Sequence, residues 1–170
     1  MRTKLTLYAV TVFISSLKYK LIIIFLILNS AFSFSQTCSA NLEVSKGRKT
    51  RSTSSSGTYY KMTITNNGIS NDTYTLSSQN TNGSCSNSDN SSTTSNVILN
   101  ISFTDINLNS ISTISVNSGE TLTFFVHVTV PVGTPINKWC CTQITASSSI
   151  CENYYANSSL HTLVINSNDN

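Results

Sequence analysis

The chain has 170 residues, of which 39% are hydrophobic and only 10% charged, with ten Lys and Arg against seven Asp and Glu. This length supports one domain behind an export segment, domains 1–35 and 36–170. Four of the basic residues, Arg2, Lys4, Lys18 and Lys20, precede Ser35, so from Gln36 onward six basic residues face seven acidic ones, a net charge of −1 that argues against nucleic acid as a partner.

The remaining polarity is supplied by Ser, Thr and Asn, a surface of hydroxyls and amides typical of extracellular β-rich proteins. Lys18-Tyr19-Lys20, the apolar run Leu21 to Leu28, and small residues at Ser33 and Ser35 form the three parts of a signal peptide cut before Gln36. The apolar run is too short to span a bilayer, so no membrane span is expected in the mature chain. A second apolar run, Leu5 to Leu17, is more than one signal needs. Translation starting at Leu17 explains it; a long leader or an anchor built from both runs are the alternatives.

After the leader, Asn41 to Ser45 alternates as a first short strand, and Lys46 to Gly57, basic and then Ser-rich, is expected to be a loop. Its Lys46, Arg48, Lys49 and Arg51 form a short basic patch, read as a solvated loop. Thr58 to Asn66 predicts a second strand with Tyr60, Met62 and Ile64 on one face. Asn66-Asn67-Gly68 is a turn signal whose residues tolerate positive φ, and Tyr74 to Ser78 is expected to pair back through it. Ser78 to Ser95 reads as a long polar loop. Asn87, Asp89 and Asn90 offer oxygens to calcium there, but with a single carboxylate and no matching spacing.

Val97 to Phe103 and Ile111 to Val116 predict two further strands. Gly119 to Pro131 carries the longest alternation: Leu122, Phe124, Val126, Val128 and Val130 on one face, with Thr121, Thr123, His127 and Thr129 on the other. Lys138 to Ser147 places Cys140, Thr142, Ile144 and Ala146 on one face, and Ser159 to Ile165 closes the series. Seven or eight short strands without a helix predict an all-β antiparallel sandwich.

Cys38, Cys85, Cys140, Cys141 and Cys151 in an exported chain are disulfide candidates, with one thiol left over. The expected bridge joins Cys151 to Cys140 or Cys141, and a second joins Cys85 to Cys38 or to the remaining member of the pair. Cys38 also raises a lipid anchor as an alternative, although Ser35-Gln36-Thr37 is a poor lipoprotein signal. Trp139, Tyr154 and Tyr155 are candidate ligand-binding aromatics near the last inter-strand loop, with sheet-edge capping as the plainer role. No nucleophile elbow, zinc motif, phosphate loop or carboxylate pair occurs, so no catalytic or metal residue and no cofactor is assigned.

Five stretches, Ile64-Thr-Asn-Asn-Gly68, Asn71-Asp-Thr-Tyr-Thr-Leu76, Val116-Asn-Ser-Gly-Glu120, Val128-Thr-Val-Pro-Val-Gly-Thr-Pro135 and Ile144-Thr-Ala-Ser147, together resemble the NPCBM-associated family. This is the Ig-like domain found beside α-galactosidases and in many bacterial and archaeal surface proteins. The resemblance covers roughly residues 58 to 165 and implies an Ig-like sandwich acting as spacer, packing partner or adhesion module, with no catalytic residues. Two departures stand out: Ser118 replaces the usual proline before the Gly-Glu turn, and the cysteines and the loop Ser78 to Ser95 are local additions. The expected function is a non-enzymatic, exported or cell-surface Ig-like module whose partner is a surface protein or polysaccharide. The alternative is a carbohydrate-binding module using Trp139, Tyr154 and Tyr155.

Overall fold

A computed structural model describes residues 38–81 and 96–166. The predicted leader, the Leu17 start, Cys85 and the oxygens of Asn87, Asp89 and Asn90 lie outside the described residues. Nine strands are found within them: β1 Ala40–Val44, β2 Thr50–Thr53, β3 Thr58–Asn66, β4 Asp72–Thr81, β5 Asn100–Thr104, β6 Thr113–Val116, β7 Thr121–Thr129, β8 Lys138–Ser148 and β9 Tyr155–Val164. They form a four-stranded sheet, β1-β3-β7-β5, and a five-stranded sheet, β2-β9-β8-β4-β6. The fold is the expected all-β Ig-like sandwich.

The strand with the strongest alternation, β7, lies inside the four-stranded sheet, flanked by β3 and β5. Its register with β3 sets Met62 opposite Phe124 and Ile64 opposite Leu122. Period-two patterning therefore sends Tyr60, Met62, Ile64, Phe124, Val126 and Val128 to the same interior. From the other sheet Leu76, Ile144, Ala146, Leu160 and Val164 meet them. Burial of these side chains is the main favourable term in folding.

Four expectations are corrected. The loop expected over Lys46 to Gly57 contains β2, which pairs in parallel with β9 from Thr50↔His161 to Thr53↔Val164. Short, polar and Ser-rich, it carries little alternation, and only pairing to a hydrophobic neighbour makes it a strand. It brings the strand count to nine. Second, Asn66-Asn67-Gly68 does not close a hairpin, because β3 and β4 belong to different sheets. Gly68 is absent from the residues with positive φ, while Gly119, in the other predicted turn, has φ 74°. Third, β4 runs to Thr81, and its last residues pair with β8. Fourth, β9 begins at Tyr155, four residues earlier than expected.

One core residue couples stability to pH. Tyr60 is fully buried; its hydroxyl donates to the His161 carbonyl at 2.8 Å and lies 2.9 Å from Thr162 Oγ1. The Arg51 guanidinium stands 5.5 Å from its ring centroid. Burial pushes the Tyr60 hydroxyl up to about 12 from an ordinary 10.0, with the Thr162 hydrogen bond and the Arg51 charge opposing the shift. The unfolded chain thus releases this proton two pH steps before the folded one does. Stability from this group is fully present below pH 10 and is lost as the pH rises toward 12, by about 2–3 kcal/mol. Urea unfolding at pH 8, 10 and 11 is expected to show this decline. Tyr60→Phe, costing about 1 kcal/mol at pH 8 through its lost hydrogen bond, should make it shallower, the remainder coming from Tyr74, whose hydroxyl is also pushed up to about 12; an equally steep decline in the variant contradicts the assignment.

Candidate functional site

Two hydrogen-bonded polar clusters lie at the end of the sandwich where β1 begins. There the two turn motifs of the sequence meet. Asn66, at the end of β3, is buried; its Nδ2 donates to the carbonyls of Ser70 at 2.8 Å and Val116 at 3.1 Å, and its Oδ1 accepts from Gly68 N–H at 2.9 Å. Its main chain is also engaged, accepting from Gly119 N–H at 2.7 Å and donating to the Glu120 carbonyl at 3.0 Å. One amide thus ties the β3–β4 crossover to the β6–β7 crossover. Ser118 completes the tie: its N–H donates to Asn71 Oδ1 at 3.0 Å and its hydroxyl to the Gly68 carbonyl at 2.6 Å. Proline at 118 has neither donor.

A second cluster adjoins it. The buried Asp72 carboxylate accepts from Ser148 Oγ at 2.6 Å and from the N–H and hydroxyl of Ser149, both at 3.2 Å. Burial, with the Asp72 and Tyr154 charges nearby, pushes the neighbouring Tyr74 hydroxyl up to about 12. Cys38 and Cys151 are joined by a disulfide with a Cα–Cα distance of 6.3 Å. Next to it, the Tyr154 hydroxyl accepts from Ala40 N–H and lies 3.2 Å from the Ala40 carbonyl, to which it also donates. The β8–β9 connection therefore holds the start of β1 both covalently and by hydrogen bonds.

This bridge corrects the expected pairing of Cys151 with Cys140 or Cys141, and with it the alternative that joined Cys38 to Cys85. Cys140 is a buried free thiol, so it is no disulfide partner. The physical reason is the pleat: Cys140 faces the interior with Thr142, and both donate to Asn80 Oδ1, at 2.9 and 3.1 Å. Burial raises the Cys140 thiol above its ordinary value, keeping it protonated and unreactive. Cys141, on the opposite face, is disulfide-bonded. Cys38 is too far away in sequence for spacing to favour it, and only the run of β8 through its sheet carries the chain to Cys151 at the end where β1 begins.

The three predicted ligand-binding aromatics do not form one site. Tyr155 stands opposite Ser147 in the β8–β9 ladder, eight residues along β8 from Trp139, a separation of about 26 Å at the strand rise. Trp139 is half-buried at the far end of β8, where its carbonyl accepts from Val97 N–H at 2.8 Å. Tyr154 is occupied by β1, and Tyr155 alone is broadly exposed, at 58%. The aromatics that do gather are elsewhere: on the outer face of the four-stranded sheet, Tyr59 stacks on His127 at 4.1 Å and 4°, and Phe125 meets the Tyr59 ring edge-on at 6.3 Å and 88°. Phe125 is an apolar residue on the otherwise polar outer face of β7, and that exception to the alternation is the signal that could have found this cluster.

Among the described residues no three His, Cys, Asp or Glu side chains gather as a metal site, and no helix is long and apolar enough to cross a membrane. These features define the class: an Ig-like all-β module with a bridged, hydrogen-bonded end and an aromatic group on one sheet face.

No protein-family model matches the chain, and no curated protein sequence matches it. Among solved structures it is similar to a family 123 glycoside hydrolase from Clostridium perfringens, with TM-score 0.49 and 11% identity over 76% of this chain and 28% of that one. It is also similar to the E. coli chaperone DraB, with TM-score 0.44 and 9% identity over 76% and 56% of the two chains. A FixG-related protein from Vibrio parahaemolyticus gives TM-score 0.43 and 11% identity over 75% and 95%. The chain thus spans little more than a quarter of the hydrolase, and no activity passes from these proteins to this one.

Proposed function

We propose that this chain is an exported, non-enzymatic Ig-like module with a structural, spacer or adhesion role at the cell surface. The observation that carries the reading is how the polar end spends its hydrogen-bonding capacity. Asn66, Asp72, Ser118, Ser148 and Tyr154 direct their bonds at main-chain groups and at one another, around the Cys38–Cys151 bridge. Such a cluster locks crossovers together. A catalytic site instead directs such groups at a space a substrate fills. Three of the five stretches that resemble NPCBM-associated domains, 64–68, 71–76 and 116–120, are joined here.

Two further features support the role. Disulfides persist in oxidising compartments, so the bridge favours export. The start of β1 beside Asn66 and the end of β9 beside Thr53 lie at opposite ends of the sandwich, as suits a spacer.

The test is non-reduced peptide mass spectrometry of protein recovered from its own cell envelope and medium, alkylated in denaturant. The expected result is a mature start at Gln36, a Cys38–Cys151 cross-linked peptide, and alkylation at Cys140. An acyl adduct on Cys38 uses the sulfur that the bridge needs and makes the chain a tethered lipoprotein. A fully reduced chain inside the cell overturns export.

A further inference from the structure

We infer that the turn after β1 and the outer face of β3 together bind an acidic polysaccharide, with Lys46 and Lys49 pairing its anionic groups and Tyr59 stacking on a sugar ring. From Gln36 onward there are six basic residues, and five of them, Lys46, Arg48, Lys49, Arg51 and Lys61, fall within sixteen positions. The fold keeps four of these outside. Arg51 is turned over the Tyr60 ring, while Lys46, Arg48, Lys49 and Lys61 are all exposed. From Gln36 onward the net charge is only −1, yet most of the positive charge is collected near one sheet margin.

The margin is shaped. β1 pairs with β3 as far as Val44↔Met62, and the 3-10 turn Ser45–Gly47 continues beside β3, next to the stretch that carries Lys61 and Tyr59. Lys46 (φ 58°) and Gly47 (φ 66°) are successive left-handed residues. The conformation is unfavourable for a lysine, and strained residues of this kind collect at binding sites. The bend opens a groove of about 420 Å³ whose lining includes Glu43, Lys46, Lys49 and Thr63. Glu43 is the one acidic group in it; it accepts from ligand hydroxyls and disfavours a ligand charged at every point of its length.

Tyr59 supplies the apolar contact. It is 40% exposed and held in one orientation by His127 against its face and Phe125 against its edge, so little freedom is lost when a flat ligand stacks on it. A hydroxyl flanks the aromatics: exposed Ser102 pairs with His127 across the ladder. Cations, an aromatic platform and hydroxyls in one row match a polyhydroxylated chain carrying carboxylates or sulfates. A lipid surface fits less well, because the exposed aliphatic side chains Val132 and Ile136 lie in the β7–β8 connection rather than here.

The choice of a glycan over nucleic acid rests on the exported reading, and the experiment separates the two. Affinity electrophoresis of the purified, bridged chain is run through gels containing polygalacturonate, dextran sulfate, neutral dextran or single-stranded DNA. Retardation is expected from one or both acidic glycans and not from dextran, weakening at about 0.3 M NaCl as the charges are screened. The responding gel distinguishes carboxylate from sulfate recognition. Lys46→Gly with Lys49→Gln should weaken binding about tenfold while leaving the unfolding midpoint unchanged or higher, since glycine relaxes the left-handed site. Tyr59→Ala should weaken it about fivefold. No retardation by either acidic glycan, equal retardation of the variants, or stronger retention by DNA overturns the inference. Cell fractionation decides export separately, so a bridged, exported chain that ignores acidic glycans sinks the site and leaves the module role standing.

Discussion

Replacing Cys38 with serine is expected to lower the unfolding free energy by about 3–5 kcal/mol. The bridge to Cys151 spans 113 residues, and cross-linking a loop of that order removes much of the entropy of the unfolded chain, with an ideal value of about 4.7 kcal/mol. Cys141 is also disulfide-bonded, and a chain already cross-linked has less entropy to lose, which pulls the effect below the ideal. Cys151→Ser should match Cys38→Ser, and the double variant should be no worse than either, because both remove the same bond. Equilibrium urea unfolding under non-reducing conditions measures this. Additive losses mean that the residues act through separate contacts and that the bridge is not formed. Because Tyr154 still holds Ala40, the serine variants should keep the native fold, with the start of β1 loosened.

Asn66→Ala is expected to cost about 3 kcal/mol. The substitution removes three side-chain hydrogen bonds and leaves the Ser70 and Val116 carbonyls and the Gly68 N–H without this partner in a buried place; each orphaned group carries a penalty of about 1–3 kcal/mol, partly relieved by relaxation. Asn66→Asp should be as damaging, since a carboxylate retains the acceptor for Gly68 but turns oxygen toward two carbonyl oxygens. Ser118→Pro, restoring the residue the resemblance leads one to expect, should also destabilise, through loss of the bond to Asn71 Oδ1. Thermal melts of the three variants against the unsubstituted chain check the order. A melting temperature unchanged in Asn66→Ala indicates that the two crossovers are held by their main-chain bonds alone.

Much of the fold was legible because burial on one face imposes a period of two that a sequence displays directly. Gly119 to Pro131 predicted β7 with the correct inward residues, and Tyr60, Met62 and Ile64 fixed the face of β3. The interior face of β8, with Cys140, Thr142, Ile144 and Ala146, was equally plain. β2 was hidden because Thr50–Thr53 has almost no apolar contrast and is a strand only through its parallel pairing with β9. Hairpin and crossover were indistinguishable at Asn66-Asn67-Gly68, since turn chemistry reports a change of direction and not which sheet the next strand joins.

The candidate site was far less legible. Residue types identified cysteines and aromatics as notable, and the sequence alone settled that the interior alternates, that charge is scarce and that the basic residues cluster near the first strands. Which cysteines meet, which aromatics share a face, and that Tyr154 binds Ala40 were decided by tertiary structure. The reason is distance along the chain. Cys38 and Cys151, Tyr154 and Ala40, and Asn66 and Val116 are each brought together by ladders that return the chain after dozens of residues, and no local pattern encodes a contact whose partner is that far away.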